Sequence, residues 1–167
     1  MNDTTINFNI YEDAVEFYGS AKVKLPDISF MTNTVTGAGI AGEYESVIVG
    51  MVSAMGMTID FRSITKKVVK LYEPRKHTLD IRAAQQSDDS SGISVTKEKY
   101  VVVATPKKMG LGSLAPASPA EASGDFSVSY LAKYIDGVKV VEIDQLNYIC
   151  MINGTDYLAD VRTALGK

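Results

Sequence analysis

Gly37, Gly39 and Gly42 form a literal G-x-G-x-x-G within TGAGIAGEYE, a spacing that lets a backbone approach a pyrophosphate closely. Asp60 follows at roughly the distance of a ribose-binding carboxylate. Between them Val47, Ile48, Met51, Val52 and Met55 have a faintly helical spacing. The context argues against the motif. A dinucleotide loop leaves the carboxyl end of a buried parallel strand and opens a helix. Here the preceding SFMTNTVT is polar and threonine-rich, and the following ESVIVG is β-branched and favours a strand. No βαβ alternation occurs elsewhere, so the glycines are read as bends in an extended arm.

Other chemistry lacks its parts. His77 is the only histidine, follows Pro74-Arg75-Lys76 and is expected at a surface or strand edge. Without a second histidine or a G-x-S-x-G, nucleophilic catalysis would rest on that residue alone. Asp88-Asp89 lack the spaced ligands and closing glutamate of a calcium loop and read as a solvated turn. Glu142 and Asp144 alternate out of a strand, and the lysines of TKKVVK read as the wet face of a short helix. No catalytic group, metal site or cofactor site is assigned, and no enzyme activity is expected.

The elements that would position these residues are mostly strands. EFYGSAKVKL sets Phe17, Ala21, Val23 and Leu25 against Glu16, Ser20, Lys22 and Lys24. GMTIDFRSI alternates Met57, Ile59 and Phe61 with Thr58, Asp60 and Arg62, and HTLDIRAAQQ sets Leu79 and Ile81 against Thr78, Asp80 and Arg82. Such alternation marks half-buried strands of an antiparallel sheet. EKYVVVATP and DFSVSYLAKYI add two more, and Asp136-Gly137 signals a tight hairpin into VKVVEIDQLNYICMIN. Two short helices are expected. One has Ser63 as N-cap, with Ile64, Val68 and Leu71 at helical spacing. The other has Thr155 as N-cap, an apolar face of Tyr157, Leu158, Val161 and Leu165, and Gly166 as its stop. Long loops are expected over residues 29–42, the glycine-bearing arm, and 106–124, rich in Pro, Ala and Ser. Loops of that length in so short a chain suit contact better than catalysis.

The 167 residues fit one domain, 1–167, large enough to bury a core without staples. A net charge of -3, from 17 basic and 20 acidic residues, argues against a general nucleic-acid-binding surface. The single cysteine, Cys150, allows no internal disulfide and lies among apolar neighbours as a small buried hydrophobe. The N-terminal MNDTTINFNIYED has no secretory pattern, and no apolar run approaches the roughly 18 residues of a membrane span. Folding in a cytoplasm, with no stable membrane insertion by the monomer, is the expectation.

The order of pieces then becomes informative. KLPDISFMTNTVTGAGIAGEYESVIVGMVSAMGMTIDF resembles the N-terminal half of the major tail tube protein of contractile-tailed phages: a strand ending in LP, a long glycine-bearing arm, and two returning strands. YIDGVKVVEIDQLNYICMINGTDYLADVRTALG resembles that family's C-terminal signature, a hairpin, EID-x-L-N, a strand, then NG-x-D leading into a short helix closed by ALG. R-type phage-tail-like bacteriocins draw their tubes from the same family.

The resemblance implies a mainly β subunit, a β-sandwich or β-barrel, assembled in hexameric rings. The inner strands would join into one continuous barrel around a lumen, and the rings would stack into a tube driven through the target cell envelope. Its partners would be itself, the surrounding sheath, a baseplate or tube initiator and a tail terminator, with transient passage of DNA or ions. Its place would be the virion tail or bacteriocin particle, assembled in the bacterial host cytoplasm. A tube protein of a related injection machine, such as type VI secretion, is the second reading, and a dinucleotide-binding enzyme the third. Met31, Thr34, Thr36, Gly37, Gly39, Gly42, Glu43, Leu158 and Val161 become candidate contacts between subunits or rings. Glu16, Asp60, Asp80, Glu142 and Asp144 become candidates to face a hydrophilic lumen, neutral to negative on balance.

Overall fold

The alternating segments fold as strands, and their polarity sets which side is covered. The computed structural model describes the backbone of residues 2–12, 15–16 and 20–167, and of these the side chains of residues 2, 15, 16, 20 and 21 are not described. The expected placement of Glu16, Phe17 and Ala21 therefore lies outside the described side chains. Two antiparallel sheets contain β1 (Asn2–Glu12), β2 (Val15–Glu16), β3 (Ser20–Lys24), β4 (Phe30–Thr36), β5 (Glu43–Val52), β6 (Met55–Phe61), β7 (His77–Asp89), β8 (Gly92–Met109), β9 (Ala122–Ile135), β10 (Val138–Asp144), β11 (Ile149–Ile152) and β12 (Thr155–Asp156). Helices α1 (Lys66–Leu71) and α2 (Ala159–Leu165) complete the described elements.

The larger sheet runs β12-β11-β10-β9-β8-β7-β1-β2, with β6 also on β9 and β3 on β6. One edge of β9 is shared: its first half pairs with β6, from Ala122 to Val128, and its second half with β10, from Tyr130 to Ile135. The register aligns Leu79, Val102, Leu131 and Ile143 across four strands, all buried. Ile10, Met57, Ile59, Phe126 and Cys150 join them in a single core cluster, so the sheet curves around one apolar centre. Helix α1 closes one end of it through Val68 and Leu71, and the Phe61 and Tyr72 rings meet edge to face at 6.2 Å.

Several local expectations need correction. The N-cap of α1 is Thr65, whose hydroxyl accepts from the Val68 amide at 3.4 Å, rather than Ser63. The supposed loop 29–42 is half strand, because Thr32 to Thr36 pair with Val47 to Glu43. The faintly helical set from Val47 to Met55 lies in β5 and the start of β6. The supposed loop 106–124 is shorter at both ends, since β8 and β9 stay paired out to Met109 and Gly124. Pro106 is tolerated there because it sits at a register shift, where a ladder N–H is not required. The Asp136-Gly137 turn is as expected: φ is 49° and 81°, the left-handed pair that a two-residue hairpin demands.

Phe126 is fully buried where β6, β8 and β9 meet. Phe126→Ala should therefore cost about 3–5 kcal/mol, read as a lower urea midpoint with little change in slope.

Candidate assembly surfaces

β4 and β5 form a sheet of their own, a ribbon apart from the ten-stranded sheet. Its tip holds Gly37, Gly39 and Gly42, with φ of 147°, 91° and 99°. These glycines turn one antiparallel strand into the next and open no helix, so the dinucleotide-loop geometry is not formed. The base of the ribbon is held by three hydrogen bonds. Gln145 Nε2 donates to the Val52 and Ser53 carbonyls at 3.0 and 3.1 Å, and the Ser53 amide donates to Ser29 O at 2.7 Å. Beyond that base the ribbon is bare: Tyr44, Val47, Ile48, Val49 and Met51 are all exposed, Val49 at 63%. A two-stranded ribbon is marginal in water on its own. Apolar residues on both of its faces give it an exposed patch of the kind found at protein contact surfaces. Met31, Thr34, Thr36, Gly37, Gly39, Gly42 and Glu43 all fall on this ribbon, and all are exposed.

The C-terminal segment meets the ribbon at one place. Leu158 is 4% exposed and packs over Gly50, where an added Cβ would lie 2.6 Å from Leu158 Cδ2. The expected Thr155 cap is replaced, since Thr155 pairs with Ile152 in β12. Asp156 fixes the segment instead. Its Oδ1 accepts from the Leu158 amide at 3.0 Å, and its Oδ2 lies 2.6 Å from Arg162 Nη2. Arg162 Nη1 donates to Tyr148 O at 2.6 Å. The Arg162 guanidinium holds the Asp156 carboxyl below its usual range, helped by the Leu158 and Cys150 amides. The expected apolar face of α2 does not pack within the chain: Tyr157, Val161 and Leu165 are exposed, and only Leu158, ahead of the helix, is buried. Phe30, Val47, Val49, Gly50, Ile152 and Tyr157 line an apolar groove of about 280 Å³ between ribbon and C-terminal segment.

The polar strand face is a third surface. Asp80, Val101, Ala132 and Glu142 align across β7 to β10, on the side opposite the core row, and Asp144 lies two residues beyond Glu142. Each acid has a local partner. Asp80 Oδ2 is 3.1 Å from Arg82 Nη2 and 3.7 Å from Lys99 Nζ, and Glu142 pairs with Lys139. Asp144 accepts from the Leu146 and Asn147 amides and shapes the turn after β10. Asp60, on β6, stands opposite Lys22 of β3. Four of the five candidate lumen acids thus lie beside basic or amide donors, and the fifth, Glu16, has no described side chain.

The family model for phage tail tube protein FII matches residues 3–166. The chain belongs to the phage tail tube protein FII family. No curated protein matches it significantly. A tail tube protein is a structural component of the virion tail, which self-assembles into a tube and associates with other tail components. Among the described residues no helix of this tail tube protein is long and apolar enough to cross a membrane.

His77 is a correction, because the tail tube protein buries it completely. Its Nδ1 lies 2.7 Å from Glu12 Oε1 and its Nε2 2.9 Å from Glu73 O. The ring thus bridges the Glu12 carboxylate and the Glu73 carbonyl. Arg75 Nη1 donates to the same Glu12 oxygen at 3.0 Å. The cluster ties the end of β1 to the turn entering β7, and its polar atoms face one another rather than an open cleft. Cys150 is buried as expected, and burial pushes its thiol pKa up.

Two measurements follow from the ribbon base and the C-terminal latch. Gly50 has φ of 77° and sits against Leu158. Gly50→Ala should cost at least about 1–2 kcal/mol from backbone strain alone, with more from the clash. Adding Leu158→Ala should then cost less than it does in the wild type, in a double-mutant cycle of urea unfolding. The Asp156 carboxyl is depressed in the folded state, so its stabilising share is present above the unfolded pKa and lost as pH falls through the folded one. Arg162→Met should raise the Asp156 pKa by NMR titration and narrow the acid-stable range.

Proposed function

We propose that this chain is the inner-tube subunit of a contractile phage tail or R-type bacteriocin, polymerising as stacked hexameric rings into a conduit driven through the target envelope. The whole chain, 1–167, acts as one tube domain. The observation that carries this reading is the β4–β5 ribbon, whose apolar residues are exposed on both faces within a family whose members build tubes. In a ring, neighbouring subunits would cover the ribbon and the groove beside Tyr157. The contact residues would include Met31, Thr34, Thr36, Gly37, Gly39, Gly42 and Glu43, with Leu158 and Val161 behind them. Closing strands into a continuous barrel removes open sheet edges, which are templates for uncontrolled pairing.

The polar strand face is the one suited to a water-filled lumen. Asp60, Asp80, Glu142 and Asp144 would then face a bore of matched charges, with Glu16 as a further candidate. Such a wall is hydrophilic and holds no polyanion, because phosphate binding is dominated by lysine and arginine left free to contact it. Sheath, baseplate initiator and tail terminator are the heterologous partners, and DNA or ions the passing contents.

Negative-stain microscopy and native mass spectrometry of the purified chain test the reading. Hexamers or tubes are expected, and deletion of Thr36 to Ala41 should leave a folded subunit that does not polymerise. A strictly monomeric protein at high concentration, or normal tubes from the deletion, would contradict it.

A further inference from the structure

The two ends of the long strands carry exposed charge of opposite sign. β7 has 13 residues, so its two ends lie about 40 Å apart. At the far end the β7–β8 turn carries Asp88 and Asp89, and Asp3 of β1 stands opposite Ser87. Ile93 and Val95 lie on the same face there, opposite Asp88 and Gln86, and are 69% and 58% exposed. Asp89 accepts from Ser91 within its own turn, whereas Asp3 and Asp88 are exposed. Lys97 is exposed nearer the middle of β8, beside the Asp136 turn, whose carboxylate accepts from the Lys97 amide.

The near end has the opposite sign. Helix α1 enters β7 from that side with Lys66 and Lys70 exposed. Lys76, Lys107 and Lys108 are exposed around it, where β8 outruns the start of β7. Among the described residues the exposed acids there are Glu73, already paired with Arg75 at 2.9 Å, and Glu121. This basic rim also carries bare apolar side chains: Leu111 and Leu114 of the β8–β9 loop are 71% and 97% exposed. Each end thus offers exposed aliphatic residues ringed by charge, and the two rings are complementary.

We propose that the acidic β7–β8 tip of one copy seats on the basic rim of α1 and the β8–β9 loop of the next copy along the tube. This rests on the tube reading above and supplies its stacking contact. A patch that meets a different patch on an identical chain is heterologous and does not close on itself, so it propagates as a filament with a fixed direction. Exposed ion pairs contribute little each and are screened by salt. Their part is to set direction and to reject tip-to-tip and rim-to-rim encounters, while Ile93, Val95, Leu111 and Leu114 supply the area that leaves water.

The test uses charge reversal on the full chain. One variant, D3K/D88K, makes both ends basic and leaves the Asp89 turn intact. The other, K66E/K70E, cancels the basic excess of the rim and leaves the tip acidic. Each alone should form rings but shorten tubes at least about tenfold by microscopy at low salt. An equal mixture of the two, or one chain carrying all four changes, should restore long tubes. Wild-type tube length in either variant alone overturns the stacking contact and leaves the tube reading standing. Failure of both the mixture and the fourfold variant to recover overturns it equally. A wild-type chain that forms neither rings nor tubes overturns the tube reading and the stacking contact together.

Discussion

The strands of this protein are longer than its core. β8 runs for 18 residues and β9 for 14, yet the buried cluster reaches only from Tyr100 to Ala104 on β8 and from Ala122 to Leu131 on β9. Apolar burial is the main favourable term in folding, so the covered region holds the chain together and the overhangs add surface without much stability of their own. The β4–β5 ribbon, the β7–β8 tip and the β8–β9 loop all follow from that mismatch. Each projects beyond the core, and each exposes residues that a chain working alone would have little reason to keep apolar.

The polar devices serve the same arrangement. Gln145, Asp156 and Arg162 fasten the places where an overhang leaves the core, and Leu158 fills the space that Gly50 keeps open. Glu12, His77 and Arg75 do so at the other end, tying β1 to the entry of β7. Glu12 and His77 are buried while Arg75 is half exposed, and the cluster sets geometry more than it adds net stability, because desolvation of the carboxylate offsets much of its attraction. The result is a scaffold fastened at its joints, with its apolar overhangs left exposed.

Strand identity was legible wherever alternation met a one-sided core, as in Met57, Ile59 and Phe61 or Leu79 and Ile81, and the Asp136-Gly137 turn was legible from its residue types. The ribbon was legible only in part. The threonine-rich run before the tip alternates without an apolar side, because no face of it is covered within the chain. Nothing local marked His77 as buried, since its partner Glu12 lies 65 positions away and one histidine carries no pattern. The cap of α2 was misplaced for a related reason. Thr155 looks like a cap, but pairing with Ile152 takes it into a strand and leaves Asp156 to hold the turn. The candidate contacts from Met31 to Glu43 came from the family resemblance, and the fold gathers them on one ribbon.

In the proposed tube, neighbouring subunits would finish that ribbon. Amide hydrogen exchange in separated subunits and in assembled tubes reads this strand by strand. The amides of β4 and β5 should exchange rapidly in free subunits and become protected on assembly, while those of β6 and β9 are protected in both. A ribbon already protected in the monomer, or still exchanging freely in tubes, would contradict the account.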